Sequence, residues 1–325
     1  MSISVISPGL ATTVQDLGRP GHYHLGIPLS GALDQYAHWV ANLLVGNAED
    51  LATLEFTLLA PELEFQDDTH FAVAGAQLDI RLNGELVDSH TCHHAKAGDR
   101  LKFGFMKVGA RAYLAVAGGI DVPVVLGSRA TYALGAFGGY QGRKLCANDV
   151  LPVGTPGSRP VVGRSLAEPD RVEAAKAQEL RVLPGLYFHR LQEVSVQSFF
   201  ADTWSVAPEA DRIGYRYKHG TKLEFVPREQ PFGAGSDPSN IVDAGYPYGS
   251  IQVPSGTEPI ILHRDAVSGG GYAMIGCVIS ADMDRIAQMQ PGNKARFRTV
   301  TMEEALQARA AYRDRLQAVR QRLAP

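Results

Sequence analysis

The sequence is poor in cysteine, with only Cys92, Cys146 and Cys277 among 325 residues. These three are odd in number and far apart, so they give no disulfide framework, and we expect a protein of the reducing cytoplasm. The N-terminal residues show no basic region followed by a long apolar run, which predicts no signal peptide. No apolar stretch approaches the ~18 residues of a membrane span, so we expect no membrane partner.

Positive charge is not in excess either. Lys and Arg number 31 against 34 Asp and Glu, which gives a formal net charge of −3. A chain with this balance has no overall field that attracts nucleic acid, and we expect no nucleic-acid partner. The hydrophobic share of 45% is ordinary for a globular protein, and the length allows two domains, each with its own core.

Three familiar catalytic motifs are missing. The glycines near Lys144 have the wrong spacing for a P-loop, so we expect this chain to have no P-loop of its own. No G-x-S-x-G sequence surrounds Ser30 or Ser128, which gives no support for an α/β-hydrolase serine. Met106-Lys107 resembles a biotin attachment site, but Val108 follows where a second Met is needed, so we interpret Lys107 as a strand lysine before a turn.

One small cluster has metal-ligand chemistry. His90, Cys92 and His94 alternate along a predicted strand, with His93 between them, and alternate residues share a face. Three ligands on one strand rarely give tetrahedral geometry, and no distant partner is matched to them. We therefore expect a polar, partly exposed strand end and no metal, and leave the role of the cluster open.

Glycine and proline are abundant, at 34 and 19 residues. They separate short alternating runs, and Asn83-Gly84 is a type I′ hairpin signal. Many short strands with frequent turns predict a mainly β fold of barrels or sandwiches. The runs are Glu64–Val73, Gln77–Leu82, Arg100–Phe105, Ala112–Ala117 and Ile260–His263.

Few helices are predicted. One begins after Asp34, a good N-cap, and runs to Leu44 before Gly46. A short one follows Ser280 and covers residues 283–288. The last begins at Thr301, where Glu304 completes a capping box.

A Pro-, Gly- and charge-rich stretch over residues 154–176 suits a linker. The sequences on its two sides echo each other, since Ile6–Leu10 resembles Val182–Leu186, and Gly98–Phe103 resembles Gly292–Phe297. A duplicated β-unit explains both echoes, although chance matching in a Gly-rich chain is a rival explanation. We predict a first unit at 1–160, a linker at 161–180, and a second unit at 181–325 with a C-terminal helix.

Polar and glycine-rich loops between strands are the other signal. They read TTVQDLGRPG and GIPLSGALD near the N-terminus, then AVAGGIDVPVVLGSRATY, GGYQGRKL, DRIGYR and IQVPSGTEPIIL. Each loop alone is typical of turns with surface ion pairs. Together they allow backbone N–H groups to approach a ligand while Arg and Asp side chains hold its polar edge.

These loops, from Val5 to about Phe297, resemble the KipA-like family, which is also known as the C subunit of 5-oxoprolinase. That family matches the second part of the carboxyltransferase region of urea carboxylase. The resemblance implies two tandem cyclophilin-like β-barrel units. It also implies two partner proteins, the KipI-like B subunit of the enzyme and its A subunit. The three together open 5-oxo-L-proline to L-glutamate at the expense of ATP.

Two alternatives follow from the same resemblance. One is carboxyl transfer to urea or a related small amide, with biotin carried by a partner. The other is a regulatory binding protein that antagonises a KipI-like kinase inhibitor. Neighbouring genes for the A and B subunits, for a biotin carboxylase with a carrier domain, or for a kinase system would separate the three hypotheses.

Either lactam phosphorylation or carboxylation develops negative charge on a carbonyl oxygen, which placed donors stabilise. For this chemistry we predict side chains of three kinds: some grip the substrate, some act as a general base or orient it, and some hydrogen-bond to it. We also predict a glycine-rich loop where the substrate comes close to the backbone. The gripping residues are Arg19, Arg129, Arg143 and Arg212, the carboxylates are Asp16, Asp34 and Asp265, the hydrogen-bonding residues are Gln15, Ser128 and Gln252, and the loop is Gly270, Gly271 and Tyr272. We expect these residues to meet in one cleft.

The sequence departs from the family at 217–220, 244–249 and 267–273, which are predicted ligand-facing loops. These departures leave the exact substrate open.

Overall fold

The structure is a computed structural model that describes residues 1–171 and 175–324. In this part of the chain there are twenty strands and four α-helices, which confirms the mainly β fold. The strands are β1 (Ser2–Ser7), β2 (Thr12–Gln15), β3 (Thr53–Thr57), β4 (Glu62–Phe65), β5 (Thr69–Gln77), β6 (Ile80–Leu82), β7 (Glu85–Val87), β8 (His93–Ala95), β9 (Arg100–Phe103), β10 (Val108–Val116), β11 (Val150–Pro152), β12 (Ala177–Pro184), β13 (Trp204–Val206), β14 (Gly214–Lys218), β15 (Asn240–Gly245), β16 (Ser250–Gln252), β17 (Ile260–Leu262), β18 (Gly269–Tyr272), β19 (Met274–Val278) and β20 (Lys294–Thr299). The helices are α1 (Gln35–Leu44), α2 (Glu193–Ala201), α3 (Met283–Ala287) and α4 (Met302–Leu323). None of the helices described is both long enough and apolar enough to cross a membrane.

The described residues divide into two compact units. Unit 1 takes residues 1–19, 30–171 and 314–324, and unit 2 takes residues 20–29 and 175–313. The predicted linker at 161–180 includes residues 172–174, which lie outside the described residues. The unit boundaries drawn from the sequence stay a prediction.

Unit 1 consists of two sheets around one core. The first sheet has the strand order β11-β1-β4-β9-β6-β7, and the second has the order β2-β3-β10-β5-β8. Alternate residues of each strand point inward, as the period of a strand requires. Ile3 and Phe65 from the first sheet therefore share a cluster with Phe56, Phe71 and Leu114 from the second.

Helix α1 begins where the sequence predicts. Oδ1 of Asp34 accepts a hydrogen bond from the backbone N of Ala37 at 2.8 Å, which is the N-cap interaction. The helix packs against β5 and β10 and buries Val40, Ala41 and Leu44. The capping box of α4 also forms, since Thr301 N donates to Glu304 Oε2 at 2.7 Å and Glu304 N donates to Thr301 Oγ1 at 3.2 Å.

A buried ionic group joins the start of α1 to the second sheet of unit 1. Glu55 on β3 and Arg111 on β10 are both buried, with 3.7 Å between Arg111 Nε and Glu55 Oε1. The other oxygen of Glu55 accepts hydrogen bonds from Tyr113 Oη at 2.8 Å and from Leu33 N at 2.9 Å. Tyr113 Oη in turn accepts from the backbone N of Asp34 at 2.8 Å. Burial and the charge of Glu55 raise the pKa of Tyr113 well above its usual value.

Unit 2 is built on a closed barrel with the strand order β12-β19-β16-β17-β14-β13-β20. The barrel closes by parallel pairing of β12 with β20, and the other pairs in it are antiparallel. Its interior is aromatic, with Phe199 of α2 stacked on Phe297 of β20 at a centroid distance of 4.6 Å. Strands β15 and β18 form a separate two-stranded sheet, which we call the β15–β18 ribbon.

The predicted hairpin at Asn83-Gly84 is confirmed. Both residues have positive φ, 53° and 90°, and they connect β6 to β7 as a type I′ turn requires. The predicted run Glu64–Val73 is wrong as a single strand, because a turn divides it into β4 and β5. Asp67 and Asp68 hold that turn by accepting hydrogen bonds from Ser2 N and Ala97 N, both at 2.9 Å.

Candidate functional site

The predicted site residues of unit 1 converge on the carboxylate of Asp16, which follows β2. Its Oδ1 accepts hydrogen bonds from Gly18 N and Ser128 Oγ, both at 2.7 Å, and its Oδ2 accepts from Arg129 N at 2.5 Å. Ser128 Oγ also accepts from Ala130 N at 2.9 Å. Asp16 therefore fixes the loop that carries Ser128 and Arg129 against the end of β2. We call Gln15, Asp16, Arg19, Ser128 and Arg129 the Asp16 set.

Two members of the Asp16 set are enclosed. Arg19 is 1% exposed, donates through Nη2 to the carbonyl of Ala130, and lies over the Phe137 ring at 5.0 Å. Gln15 is 0% exposed and donates through Nε2 to Thr13 Oγ1 at 2.9 Å and to Thr131 O at 3.3 Å. Side chains buried in this way hold the loop in position and do not present a surface to solvent.

Arg129 is the partly exposed member, with a side chain 32% exposed. Its Nη2 donates to Asp121 Oδ1 at 2.8 Å, and its Nε donates to Val122 O at 2.8 Å. The guanidinium is thus oriented by two neighbours while one edge reaches solvent. A planar guanidinium with this exposure can bind a carboxylate or a carbonyl oxygen.

A cleft of about 410 Å³ lies beside this loop within unit 1. Its walls are mostly apolar, and one wall is the backbone of the glycine loop at 138–142. Gly138 needs its lack of a side chain there, since a Cβ would lie 2.1 Å from the carbonyl oxygen of Ala130. The cleft is lined by Val122, Pro123, Val125, Ala136, Phe137, Gly138, Gly139, Tyr140, Gln141, Gly142 and Pro152. Phe137, Val122 and Pro152 were not predicted as site residues, because isolated apolar residues carry no distinctive signal in the sequence.

Arg143 and Asp34, two more predicted site residues, have structural contacts. Arg143 forms a bidentate pair with Asp149, at 2.7 and 2.8 Å, and also donates to Lys144 O and Gln141 Oε1, both at 2.9 Å. The Arg143 contact lowers the pKa of Asp149. Asp34 is fully buried and caps α1. Both contacts favour a role in local stability over one in binding.

In unit 2, Arg212 and Asp265 form a bidentate pair. Arg212 Nε donates to Asp265 Oδ2 at 2.7 Å, and Nη2 donates to Oδ1 at 3.1 Å. The Asp265 backbone N also donates to Arg212 O at 3.0 Å, so the two loops are joined twice. The Arg212 side chain is 18% exposed. Asp265 therefore orients a guanidinium that still reaches the surface.

The other predicted residues of unit 2 meet at the β15–β18 ribbon. Gly270, Gly271 and Tyr272 belong to β18, and Gln252 ends β16. Tyr246, which follows β15, hydrogen-bonds to the backbone of Tyr272, and the Gln252 side chain lies close to its hydroxyl group. The structure thus brings the departing segments 244–249 and 267–273 together. Tyr246 was not predicted, because a lone tyrosine in a loop has no sequence pattern that marks it.

The predicted residues therefore form two sets, one within each unit. Asp16, Arg129 and their neighbours are joined in unit 1, and Arg212, Asp265 and the ribbon residues belong to unit 2. That both sets face one ligand stays a prediction.

The histidine cluster has ordinary structural contacts. His90 lies in a turn with φ of 55°, and its ring accepts from Gly75 N at 3.3 Å and contacts Ser89 Oγ at 3.1 Å. Burial lowers the pKa of His90 to about 4 and raises that of Cys92 to about 11. His93 Nε2 lies 2.7 Å from Asp88 O. In the described ranges, no three His, Cys, Asp or Glu side chains are grouped as a metal site.

Comparison with known proteins identifies the family. Residues 25–299 match the model of the carboxyltransferase domain, subdomain A and B. The chain is 37% identical to the C subunit of the Escherichia coli K12 5-oxoprolinase, over 94% of each chain. It is 32% identical to the C subunit of the Haemophilus influenzae 5-oxoprolinase, also over 94% of each. The chain therefore belongs to the carboxyltransferase domain A and B family.

A solved structure shows the same fold. The crystal structure of the K. lactis urea amidolyase superposes with a TM-score of 0.91 at 33% identity. The match covers 98% of this chain and 20% of that one, so this chain corresponds to one fifth of the urea amidolyase.

Proposed function

We propose that this chain is the C subunit of a cytoplasmic, ATP-dependent 5-oxoprolinase, which opens 5-oxo-L-proline to L-glutamate together with the A and B subunits. The observation that carries the proposal is the match to the Escherichia coli C subunit over 94% of each chain. Because the match spans nearly all of both chains, it supports an equivalent place in an assembly as well as a shared domain.

The reaction adds water across the lactam amide. The ring C–N bond breaks, the carbonyl carbon becomes a carboxylate, and the nitrogen becomes an amine. Amide resonance opposes this step, so ATP hydrolysis supplies the driving force. Negative charge develops on the carbonyl oxygen, and placed hydrogen-bond donors lower the barrier by stabilising it.

In this proposal, the solvent exposure of each predicted side chain decides the role that we assign to it. Arg129, Arg212 and Tyr272 are partly exposed, so we assign them to substrate contact. The glycines of β18 let the substrate approach the backbone. Asp16, Gln15, Arg19 and Ser128 position the loop that carries Arg129, and Asp265 orients Arg212.

The sequence contains no P-loop motif for the phosphates of ATP. We therefore place the ATP site at least partly on the partner proteins, and the direct partner in this proposal is the KipI-like B subunit.

The test begins with co-purification of this chain with the B subunit. ATP-dependent conversion of 5-oxoproline to glutamate is then measured with and without the A subunit. We expect glutamate only when all three proteins and ATP are present. A complete complex that forms no glutamate would refute the proposal.

Arg212→Ala is the residue-level test in that complex. We expect turnover to fall at least tenfold, because the variant loses a donor to the developing charge. Arg216→Ala is the matched control, since Arg216 also belongs to unit 2 and pairs with a carboxylate, Glu258, at 2.7 Å. Full activity of Arg212→Ala would remove Arg212 from the site.

A second candidate function is carboxyl transfer to urea or a related small amide, with biotin carried by a partner. The TM-score of 0.91 with the K. lactis urea amidolyase favours it. Avidin, which sequesters biotin, separates the two candidates. Inhibition of the assembled enzyme by avidin supports carboxyl transfer, and unchanged glutamate formation supports the oxoprolinase.

A further inference from the structure

Tyr246 bonds through its phenol oxygen to the backbone of Tyr272, a predicted binding residue of unit 2. Tyr246 is 4% exposed. Its Oη accepts a hydrogen bond from the backbone N of Tyr272 at 2.8 Å and donates to the carbonyl oxygen of the same residue at 2.8 Å. The Gln252 side chain lies close to the same hydroxyl group.

The phenol acts toward β18 as a neighbouring strand would. In an antiparallel β-ladder, the N–H and C=O of a hydrogen-bonded residue point to the same side and bond to the same partner residue. At Tyr272 these two groups bond to Tyr246 Oη. A side chain therefore helps to fix the end of β18, together with the backbone hydrogen bond from Ala273 N to Ser239 O at 2.9 Å.

Tyr246 contacts β18 and the residue before it at alternate positions. Its backbone N donates to Ser268 O at 2.8 Å, and its ring lies beside Gly270, where a Cβ would be 3.1 Å from Cε2. Together with the bonds to Tyr272, these contacts define the position of the glycine segment. Glycine has the largest conformational freedom of any residue, so a run of three needs such outside support.

Tyr246 also belongs to a small apolar cluster with Leu262 and Ala266. Ala266 directly follows Asp265, which is paired with Arg212. Tyr246 therefore shares a cluster with the loop that orients the guanidinium and is hydrogen-bonded to the ribbon.

We propose that Tyr246 is a positioning residue that holds the β18 glycines and the Asp265 loop at the spacing needed to bind substrate. This inference rests on the proposed function and deepens it. Because Tyr246 is enclosed, it acts through these residues without touching the substrate. Its hydroxyl group sets substrate affinity and leaves the chemical step unchanged.

The first test is amide hydrogen exchange of the full chain, which needs no activity. Tyr246→Phe keeps the ring and removes the hydroxyl, so we expect exchange at Tyr272 to rise at least tenfold. Tyr215→Phe is the matched control, because Tyr215 Oη donates to Ala287 O at 3.2 Å in the barrel of the same unit. Exchange at Tyr272 in that control is expected to match wild type. Equal exchange in Tyr246→Phe and wild type would overturn the inference.

The second test is kinetic and uses the complex with the A and B subunits. For Tyr246→Phe we expect the KM for 5-oxoproline to rise at least fivefold and kcat to stay within twofold, with wild-type values for Tyr215→Phe. Faster exchange with an unchanged KM would overturn the positioning role but leave the proposed function intact. An inactive wild-type complex would refute the proposed function and the KM claim together.

Discussion

The two predicted sets of site residues differ in how much of each side chain reaches solvent. In unit 1, Gln15, Arg19 and Asp34 are buried, and each makes at least one hydrogen bond to the protein itself. In unit 2, Arg212 and Tyr272 are partly exposed. The difference teaches that polar residues in glycine-rich loops serve two purposes. In unit 1 most of them stabilise the fold, and in unit 2 more of them are available to a ligand.

The largest expected effect on stability tests the buried polar groups of unit 1. Glu55→Ala leaves the buried charge of Arg111 without its carboxylate, and breaking a buried pair costs about 3–5 kcal/mol. We expect this loss in the free energy of unfolding measured with urea. Glu64→Ala is the control, because Glu64 pairs with the exposed Arg100, and its unfolding midpoint should stay close to that of wild type. Equal midpoints for the two variants would contradict the comparison.

The next prediction concerns how the free energy of unfolding changes with pH because of a buried histidine in unit 1. Burial lowers the pKa of His90 to about 4 from an ordinary value of 6.5, so the folded state keeps the ring neutral. Between these values the unfolded state binds the extra proton, and stability therefore falls as the pH drops from 6.5 to 4. The full loss is about 3 kcal/mol.

His90→Asn tests this assignment. Asn tolerates the positive φ of the site and carries no titrating group. We expect the variant to lose less stability than wild type over the same pH range in urea unfolding. His93→Asn, a nearby histidine variant, should lose as much stability as wild type between pH 6.5 and pH 4. If both variants lose as much stability as wild type, the pH dependence does not come from His90.

The smallest expected effect concerns Asp34 and separates a cap from a catalyst. Asp34→Ala removes the N-cap of α1 and should cost about 0.5–2 kcal/mol in thermal unfolding, whereas Asp34→Asn retains a good cap. We expect the Asn variant to keep oxoprolinase turnover within twofold in the assembled complex. If the Asn variant is as stable as wild type but loses most of its turnover, Asp34 has a catalytic role. The difference in solvent exposure would then no longer separate the roles of the two sets.

Local sequence signals predicted the elements whose determinants are local. Asp34 marks the start of α1, Thr301 and Glu304 form the capping box of α4, and Asn83-Gly84 forms the hairpin. Helix α2 was missed, because its N-cap residue, Gln192, makes no side-chain cap and few of its residues are buried. Its stability comes from tertiary packing, as with Phe199 against Phe297.

The candidate site shows the same difference between what local sequence predicts and what only the fold determines. The hydrogen bonds from Ser128 and Arg129 to Asp16 span 112 and 113 positions of sequence, and no local pattern marks such a pair. Residue types such as Arg, Asp and Gly could be selected from the loops. Their partners, among them Asp149 for Arg143 and Tyr246 for Tyr272, depend on the fold.

The parallel pairing of β12 with β20 has a consequence for biosynthesis. These strands are the first and the last of the unit 2 barrel, and they are hydrogen-bonded neighbours. On the ribosome, the barrel therefore stays open until Thr299 has left the exit tunnel, with both edges unpaired in the meantime. Contacts that join distant parts of a chain form slowly, so a stop codon before β20 should give an aggregating product rather than a smaller folded one.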